Sequence, residues 1–287
     1  MSADRFASGP PAGARADWTI DQGWDRYTPE EHRVWATLYE RQAALLPGRA
    51  CAPFLKGLEA LDLHGPGIPD FREMNRKLGA LTGWTVVAVP GLVPDEVFFE
   101  HLANRRFPAG RFIRRPDQLD YLEEPDIFHD VFGHVPMLTD PTFADYMKAY
   151  GEGGLRAMKL GRLPNLARLY WYTVEFGLLE TREGLRIYGA GIVSSRGESD
   201  FSLKNPSPNR LGFDLLRVMR TPYRIDDYQQ VYFVLPSLQR LLDDTLQDFA
   251  PVYEQLARLP DLAIETIEPG EKVFTQGTQA YAKAHAA

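Results

Sequence analysis

The stretch PDIFHDVFGHVP, residues 125–136, holds two histidines five residues apart in a largely apolar setting. The stretch LYWYTVEFGLL, residues 169–179, contains a single charged residue, Glu175. Burying an ionised carboxylate without a partner costs several kcal/mol, so such a group is usually paired or bound to a metal. Two histidines and one carboxylate form the facial triad that holds non-haem Fe(II) in oxygenases. His129, His134 and Glu175 are therefore candidate metal ligands.

The spacing of the two histidines restricts the local backbone. Five residues of a regular α-helix turn through about 500°, which leaves the two side chains roughly 140° apart. Gly133 lies before the second histidine and Pro136 follows it, and proline disfavours helical conformation in the residue before it. We therefore expect a helix over residues 125–133 that breaks at Gly133, with His134 beyond its end and turned back towards His129.

Two aspartates in the same stretch are candidate partners of the histidines. Ligand histidines usually need a hydrogen-bond partner that sets the ring tautomer, and Asp126 and Asp130 are close in sequence. Asp126 is equally well placed to cap the helix. Spacing alone also leaves open whether Glu175 reaches the histidines, because a buried histidine can be a core residue and a buried glutamate can pair with an arginine.

Composition excludes several classes of protein. The 287 residues are enough to bury a substantial core, and 44% hydrophobic and 25% charged residues are typical of a globular chain. The net charge of −7 argues against a nucleic acid partner. Cys51 is the only cysteine, which excludes an intramolecular disulfide and a cysteine-rich zinc site and fits a cytoplasmic location. No apolar run is long enough to predict a membrane span.

Helical spacing of apolar residues dominates the chain. A capping box at Thr28–Glu31 starts the first helix, and Asp140-Pro141 starts another. Further helices are predicted over residues 69–83, 94–104, 166–179 and 237–256. Short strands are predicted over residues 84–89, 111–115 and 228–235. The predicted class is mainly α with a few short β-strands (α+β), as a single helical catalytic domain with a central iron site.

The domain organisation follows from the two ends of the chain. Residues 1–17 are rich in Ala, Gly, Pro and Arg and lack an apolar segment, which predicts a disordered tail and no secretory signal. Residues 18–269 are predicted to form the catalytic domain. Residues 270–287 are predicted to form a loose C-terminal tail.

Several stretches together closely resemble the motifs of the tetrahydropterin-dependent aromatic amino acid hydroxylases. The residues that carry the resemblance are 125–136, 170–178, 188–191, Ser194 and Ser195, with looser matches at 83–98 and 228–234. The resemblance covers about residues 65–240, and its motifs follow one another in the family's order.

The resemblance implies a role for each matching residue. The iron ligands it implies are His129, His134 and Glu175. The residues it implies at the pterin are Val93, Asp95, Phe98, Asp130 and Tyr170. Of these, Phe98 would stack on the pterin ring. The residues it implies at the amino acid substrate are Arg114, Trp171, Ser194 and Ser195, the last as a more distant neighbour. Arg114 would bind the substrate carboxylate, a role that suits a planar, two-pronged donor.

The implied activity is hydroxylation of L-phenylalanine to L-tyrosine with O2 and a tetrahydropterin, tetrahydrobiopterin or a relative of it, at an Fe(II) centre. Arg196, Leu122 and Asp95 depart from the family pattern and concern the substrate and pterin contacts rather than the iron. Too few residues precede the domain for the regulatory domain of the animal enzymes, and residues 273–287 lack coiled-coil heptads. We therefore expect a cytoplasmic monomer.

Three other functions remain open from the residues alone. The first is the same chemistry on tryptophan or tyrosine, because pocket shape sets the choice of ring. The second is a zinc hydrolase that uses the same three ligands. The third is a binding protein in which the triad is only structural. Metal content and a requirement for oxygen and pterin separate an oxygenase from the second and third of these functions.

Overall fold

The computed structural model describes residues 9–120, 122 and 124–285, and helices predominate in them. The α-helices in these residues are α1 (Pro29–Leu45), α2 (Ala52–Ala60), α3 (Phe71–Thr82), α4 (Asp95–Ala103), α5 (Pro141–Lys159), α6 (Leu163–Tyr170), α7 (Ala190–Val193), α8 (Arg196–Lys204), α9 (Leu215–Met219), α10 (Leu238–Leu246), α11 (Ala250–Leu256) and α12 (Ala280–Ala284). The strands are β1 (Thr85–Val89), β2 (Arg106–Gly110), β3 (Leu178–Thr181), β4 (Gly184–Ile187), β5 (Asn209–Gly212), β6 (Val231–Leu235) and β7 (Val273–Thr275). The predicted α+β class is confirmed.

Helix starts follow the capping signals in the sequence. The Thr28 hydroxyl accepts a hydrogen bond from the Glu31 backbone N–H, and the Glu31 carboxylate accepts one from the Thr28 N–H, which completes the predicted capping box of α1. The Asp70 carboxylate caps α3, and the Asp140 carboxylate caps α5. Gly83 ends α3 in the left-handed conformation, which a residue without a Cβ adopts without strain.

The strands form two small sheets. β1 and β2 pair in parallel, with Thr85 opposite Arg106, and α4 connects them. The other sheet has the order β4-β3-β6-β5-β7. Its central strand β6 pairs in parallel with β3 and β5, while β4 and β7 pair antiparallel at the two edges. Parallel neighbours require long crossover connections, and helices supply them here.

A cluster of buried aromatic rings fixes the segment that carries both histidines. Phe128 and Phe132 stack with 4.7 Å between ring centroids. Trp35 of α1 meets Phe128 edge-on at 5.2 Å, and Phe54 of α2 meets Phe132 at 5.8 Å. All four side chains are fully buried. Each such pair contributes about 0.5–1.5 kcal/mol beyond its buried area, so α1 and α2 hold this segment rigidly.

Two predicted elements are placed differently in the structure. The strand predicted at residues 111–115 is wrong, because the strand is β2, five residues earlier. Its sequence RFPAG contains proline and glycine, which weaken the local strand signal, and pairing with β1 outweighs that weakness. The helix predicted at 237–256 is two helices, α10 and α11. Pro251 in the first turn of α11 cannot continue the preceding helix.

Residues of both predicted tails make specific contacts in the structure. Asp17 accepts a hydrogen bond from Arg106 Nη1 at 3.0 Å, and the Arg15 N–H donates to the Thr19 carbonyl at 2.9 Å. At the other end β7 pairs with β5, and α12 follows it. The disordered tail over residues 1–17 and the loose tail over residues 270–287 therefore stay predictions, beside these contacts of residues 15–19 and 273–284. Residues 1–8 and 286–287 lie outside the described residues, and the domain boundaries stay a prediction.

Gly57 tests how tightly α2 packs beside the histidine segment. A Cβ at Gly57 would overlap the Pro136 backbone carbonyl. We expect Gly57→Ala to lower the free energy of unfolding by about 1–3 kcal/mol in urea titrations, because the backbones must separate. The matched control is Gly79→Ala inside α3, where the nearest atom lies 3.8 Å from the new Cβ. That change should raise stability by about 0.5–1 kcal/mol. Equal shifts in both variants would contradict the packing argument.

Candidate active site

Both histidines lie on a π-helix, Phe128–His134, rather than at the end of an α-helix. A π-helix forms i→i+5 hydrogen bonds, so residues five apart lie about one turn from each other. This geometry brings His129 and His134 to the same side of the helix. It avoids the separation of roughly 140° that an α-helix would impose on residues five apart. The expected helix break at Gly133 is wrong, because Gly133 is buried within the π-helix and a 3-10 helix, Val135–Thr139, continues from it.

The carboxylate comes from a second π-helix, Trp171–Glu175, which continues α6. The Phe176 N–H donates to the Trp171 carbonyl at 2.9 Å, an i→i+5 bond that closes this segment. The prediction of one helix over residues 166–179 is wrong at its end, because β3 begins at Leu178. Single π turns within helices occur frequently at functional sites. Here each of the two π-helices carries candidate metal ligands.

The three candidate ligands converge. His129 Nε2 and His134 Nε2 are 3.1 Å apart, and the Glu175 oxygens lie 3.5 Å and 3.2 Å from them respectively. Neighbouring ligands of an octahedral ion at about 2.1 Å would be about 3 Å from each other. Two imidazole nitrogens and one carboxylate also match the donor set of non-haem Fe(II). The residues therefore fit an Fe(II) ion.

The electrostatics of the triad favour a positive charge between the ligands. Burial lowers the pKa of His129 to about 4, so this ring is neutral and keeps a lone pair for a metal. Burial opposes the charged form of His134, but Glu175 outweighs it and raises the pKa of His134. Burial likewise opposes ionisation of Glu175, but the two histidines lower its pKa. Either a proton on His134 or a metal ion would compensate the negative charge of the Glu175 carboxylate.

Ser194 determines which nitrogen of His129 is free. The Ser194 hydroxyl donates to the Ala190 carbonyl at 2.7 Å, so its oxygen must accept from His129 Nδ1, 3.0 Å away. A proton on Nδ1 leaves Nε2 unprotonated and directed at the other ligands. Ser194 thus supports the candidate ligand His129. The resemblance in sequence had implied that Ser194 contacts the substrate. Ser195 caps α8, accepting a hydrogen bond from the Glu198 N–H at 3.3 Å.

Asp126 connects the histidine segment to Arg114. Its carboxylate accepts from Arg114 Nε at 2.8 Å and Nη2 at 2.9 Å, and also from the His129 backbone N–H at 3.0 Å. Both charged side chains are buried. Burial would raise the pKa of Asp126, but Arg114 outweighs it and the net shift is downward. Asp126 therefore caps the segment, as one prediction allowed, and holds Arg114 in place, which no sequence pattern indicated.

A cavity of about 1200 Å³ opens beside the triad. Its walls include His129 and Glu175 together with all four residues predicted to contact the substrate, Arg114, Trp171, Ser194 and Ser195. Leu122 and Arg196, which depart from the family pattern, also line it. Tyr281 of α12 reaches the wall as well, from the segment predicted to be a loose tail. The cavity is large enough for an amino acid beside the candidate ligands.

Contacts that the sequence did not predict orient Trp171. Its Nε1 donates to Gln229 Oε1 at 3.0 Å, and its ring stacks on Tyr223 with 4.3 Å between centroids. Gln229 is a polar residue two positions before the buried strand β6, and that position was the one available signal. These contacts hold a flat aromatic surface in the cavity wall.

The five residues predicted at the pterin lie on three segments of the chain, namely α4 with the loop before it, the histidine segment and the end of α6. Tyr170 lies over His134 at 6.2 Å between ring centroids, and Phe98 meets Tyr170 edge-on at 5.8 Å. The Asp130 carboxylate accepts from the Gly110 N–H at 2.7 Å, and its enclosure raises its pKa to about 7. Val93 lies in the loop before α4 and Asp95 in the first turn of α4. None of the five lines the cavity beside the triad.

Glu198 gives a test of the polar network behind this cavity. It is buried, accepts hydrogen bonds from Tyr232 and from the Gln229 N–H, and burial raises its pKa to about 7. Between the ordinary pKa of a glutamate and about 7, the folded state binds more protons than the unfolded state. Stability should therefore fall as pH rises through this range.

Glu198→Gln should remove this dependence, because a glutamine does not ionise. Urea unfolding measures the free energy of unfolding at pH 5 and at pH 8. Between these two pH values, the free energy of unfolding should fall by roughly 3 kcal/mol more for the original chain than for the variant. Exposed Glu73→Gln on α3 is the control and should leave the decrease unchanged. A variant with the full pH dependence would show that Glu198 is not the group responsible.

The fold and the triad define a metalloprotein of the two-histidine, one-carboxylate class. Residues 24–261 match the family of biopterin-dependent aromatic amino acid hydroxylases, and the chain belongs to this family. It is 71% identical over 284 residues to a phenylalanine-4-hydroxylase of Caulobacter vibrioides, covering 99% of this chain and 97% of that one. It is 58% identical to a phenylalanine-4-hydroxylase of Ralstonia nicotianae, covering 96% and 88%.

Solved structures of phenylalanine hydroxylase from Chromobacterium violaceum have a similar fold. The structure with bound oxidised Fe(III) superposes with a TM-score of 0.88 at 58% identity, covering 93% of this chain and 96% of that one. The structure with iron and phenylalanine bound gives 0.87 at 56% identity, with the same coverage. Among the residues described here, no helix is long and apolar enough to cross a membrane.

Proposed function

We propose that the chain is a phenylalanine 4-monooxygenase that converts L-phenylalanine to L-tyrosine with O2 and a tetrahydropterin. The observation that carries this proposal is the triad at the wall of a cavity with an anchored arginine and an oriented tryptophan. Family membership and the 71% identical relative named phenylalanine-4-hydroxylase support the substrate and the reaction. The related structure with iron and phenylalanine bound supports the same assignment.

We propose that His129, His134 and Glu175 hold the iron, each through the atoms that converge here. When bound, Fe(II) and the reduced pterin together activate O2 and supply the electrons for hydroxylation. The protein supplies a fixed ligand geometry, because the Phe128–Phe132 stack and the Ser194 hydrogen bond restrain His129.

Arg114 is the proposed anchor of the substrate carboxylate. Its Nε and Nη2 donate hydrogen bonds to the Asp126 carboxylate. Its Nη1 makes only a long contact of 3.4 Å with the Leu119 carbonyl, so Nη1 is available to donate to a substrate carboxylate. Trp171 would lie against the substrate and limit the orientation of the aromatic ring. Anchoring one end of the substrate and restricting the other aims the para carbon at the iron, and such positioning accounts for a large part of many enzymatic rate enhancements.

We propose that Val93, Asp95, Phe98, Asp130 and Tyr170 contact the pterin. The interactions of Phe98 with Tyr170, and of Tyr170 with His134, support a pterin position next to the ligands. We also propose residues 18–269 as the catalytic domain and a cytoplasmic, monomeric protein. Size-exclusion chromatography with light scattering tests the monomer, for which we expect a mass near 32.5 kDa.

The deciding experiment measures tyrosine formation from L-phenylalanine with Fe(II), a reduced tetrahydropterin and air. Omitting any one of these should abolish the product. Parallel reactions with L-tryptophan and L-tyrosine compare the alternative rings, and we expect lower kcat/KM for both. Absence of product from all three amino acids, with iron shown to be bound, would contradict the proposed function.

A further inference from the structure

A second cavity lies apart from the triad and has a strongly basic wall. It has a volume of about 480 Å³ and lies where the end of α1, strand β4, the end of α8 and strands β5 and β7 meet. Its lining residues are Pro47, Gly48, Arg49, Leu185, Arg186, Leu203, Lys204, Arg210 and Thr275. Four of these are basic and none is acidic, in a chain whose net charge is −7.

Arg210 is a buried cation without an anion. It is only 3% exposed, its Nε donates to the Ser202 carbonyl, and its Nη2 donates to the carbonyls of Phe201 and Asn205. Within the described residues it forms no ion pair with a carboxylate, and its Nη1 forms no hydrogen bond. Burial without a counter-charge also lowers the pKa of this guanidinium. A buried charge of this kind is expensive unless an anion compensates it.

The other three cations of the wall are only partly neutralised. Arg49 and Lys204 share one carboxylate, Asp200, at 3.4 Å and 2.8 Å. Arg186 pairs with Glu183 at 2.9 Å, and the Glu183 side chain is 82% exposed. The Arg49 Nε is buried and has no hydrogen-bond partner among the described residues. The cavity therefore has spare donors and an excess of positive charge.

We propose that this cavity binds a phosphate group, either free or carried by a small metabolite. A dianion is suited to several converging cations, and guanidinium groups donate to phosphate oxygens in pairs. The Arg210 Nη1 would donate from the base of the site, and Arg49, Arg186 and Lys204 would surround the anion. The Thr275 side chain, which lies in the same wall, adds a hydroxyl. The volume exceeds that of phosphate, so an ester also fits.

The position of α8 connects this cavity with the cavity beside the triad. Arg196 and Glu198 near the start of α8 line the triad cavity, and Lys204 at its end lines the basic cavity. Asp200 lies in the wall of the triad cavity and forms ion pairs with Arg49 and Lys204. A bound phosphate would compete with Asp200 for both cations. The proposed site itself does not depend on the proposed hydroxylase activity.

The test is calorimetric titration of the iron-loaded full chain with inorganic phosphate at constant ionic strength. We expect saturable binding of one phosphate that the double variant Arg186→Gln/Lys204→Gln weakens by at least about tenfold, or about 1.4 kcal/mol. Arg210 is left intact because its hydrogen bonds order the end of α8. The matched control is Arg240→Gln on α10, an exposed arginine outside both cavities, which should bind phosphate like the original chain.

A parallel titration with glycerol 3-phosphate distinguishes the two sources of the phosphate group. Tighter binding than inorganic phosphate would identify a phosphate ester as the ligand, and equal or weaker binding would identify free phosphate. Phosphate bound to the iron would be unaffected by the double variant. The proposal is overturned if binding is not saturable, or if the double variant binds phosphate as tightly as the Arg240→Gln control.

Discussion

Replacing Glu175 with alanine is expected to abolish stoichiometric iron binding and to lower tyrosine formation by at least about a thousandfold, or about 4 kcal/mol of activation free energy. Glu175 is the only carboxylate in the triad, and it lies 3.5 Å and 3.2 Å from the two imidazoles. Without it the site presents two neutral nitrogens, which hold Fe(II) weakly and do not balance its charge.

Metal analysis after desalting and product assays with added Fe(II) measure the two effects separately. Glu180→Ala is the control, since Glu180 lies five residues further on, in β3, and pairs with Lys272 near the surface. This variant should keep its iron and its activity. Circular dichroism should show that Glu175→Ala remains folded, because the change removes a buried charge. Original turnover with iron still bound would contradict the ligand assignment.

Replacing Arg114 with alanine is expected to have two large effects. The KM for L-phenylalanine should rise by about 100-fold, because a charge-assisted contact with the carboxylate is lost. The free energy of unfolding should fall by about 3–5 kcal/mol, because Asp126 becomes a buried carboxylate without its partner. Steady-state kinetics and urea unfolding measure these effects independently.

A second substitution separates the two roles of Arg114. In Arg114→Ala/Asp126→Asn no buried charge remains at this pair, and the amide oxygen introduced at position 126 can still accept from the His129 N–H. We expect this double variant to regain most of the lost stability and to keep the raised KM. Recovery of KM together with stability would show that Arg114 acts only through folding. A collapsed kcat at unchanged KM would assign it another role in the reaction.

Local signals in the sequence account for much of the fold. The Thr28–Glu31 capping box, the caps at Asp70 and Asp140 and the terminal Gly83 each act over three or four residues, and the helices begin and end there. The candidate ligands could also be identified from the sequence, because a lone carboxylate in an aromatic run and two histidines in one motif are unusual in composition. The ordered motifs were sufficient to indicate the family before any geometry was available.

Local signals failed where contacts between distant segments decide the backbone. An α-helix was expected around the histidines, and its geometry would have separated them. The π-helix Phe128–His134 packs against residues far away in sequence, such as Trp35 on Phe128 and Ala190 close to Gly133. No short-range propensity encodes that packing, so the helix type could not be predicted from residues 125–136 alone.

The sequence by itself determined the candidate ligand set, the helix caps, the mainly helical class and the family of this protein. Only the tertiary structure decided that Ser194 sets the tautomer of His129, that Asp126 holds Arg114 and that Gln229 orients Trp171. It also decided that four basic residues surround a second cavity. The physical reason is that ligand type and capping are properties of neighbouring residues, whereas hydrogen-bond partners across the fold exist only after the chain has packed.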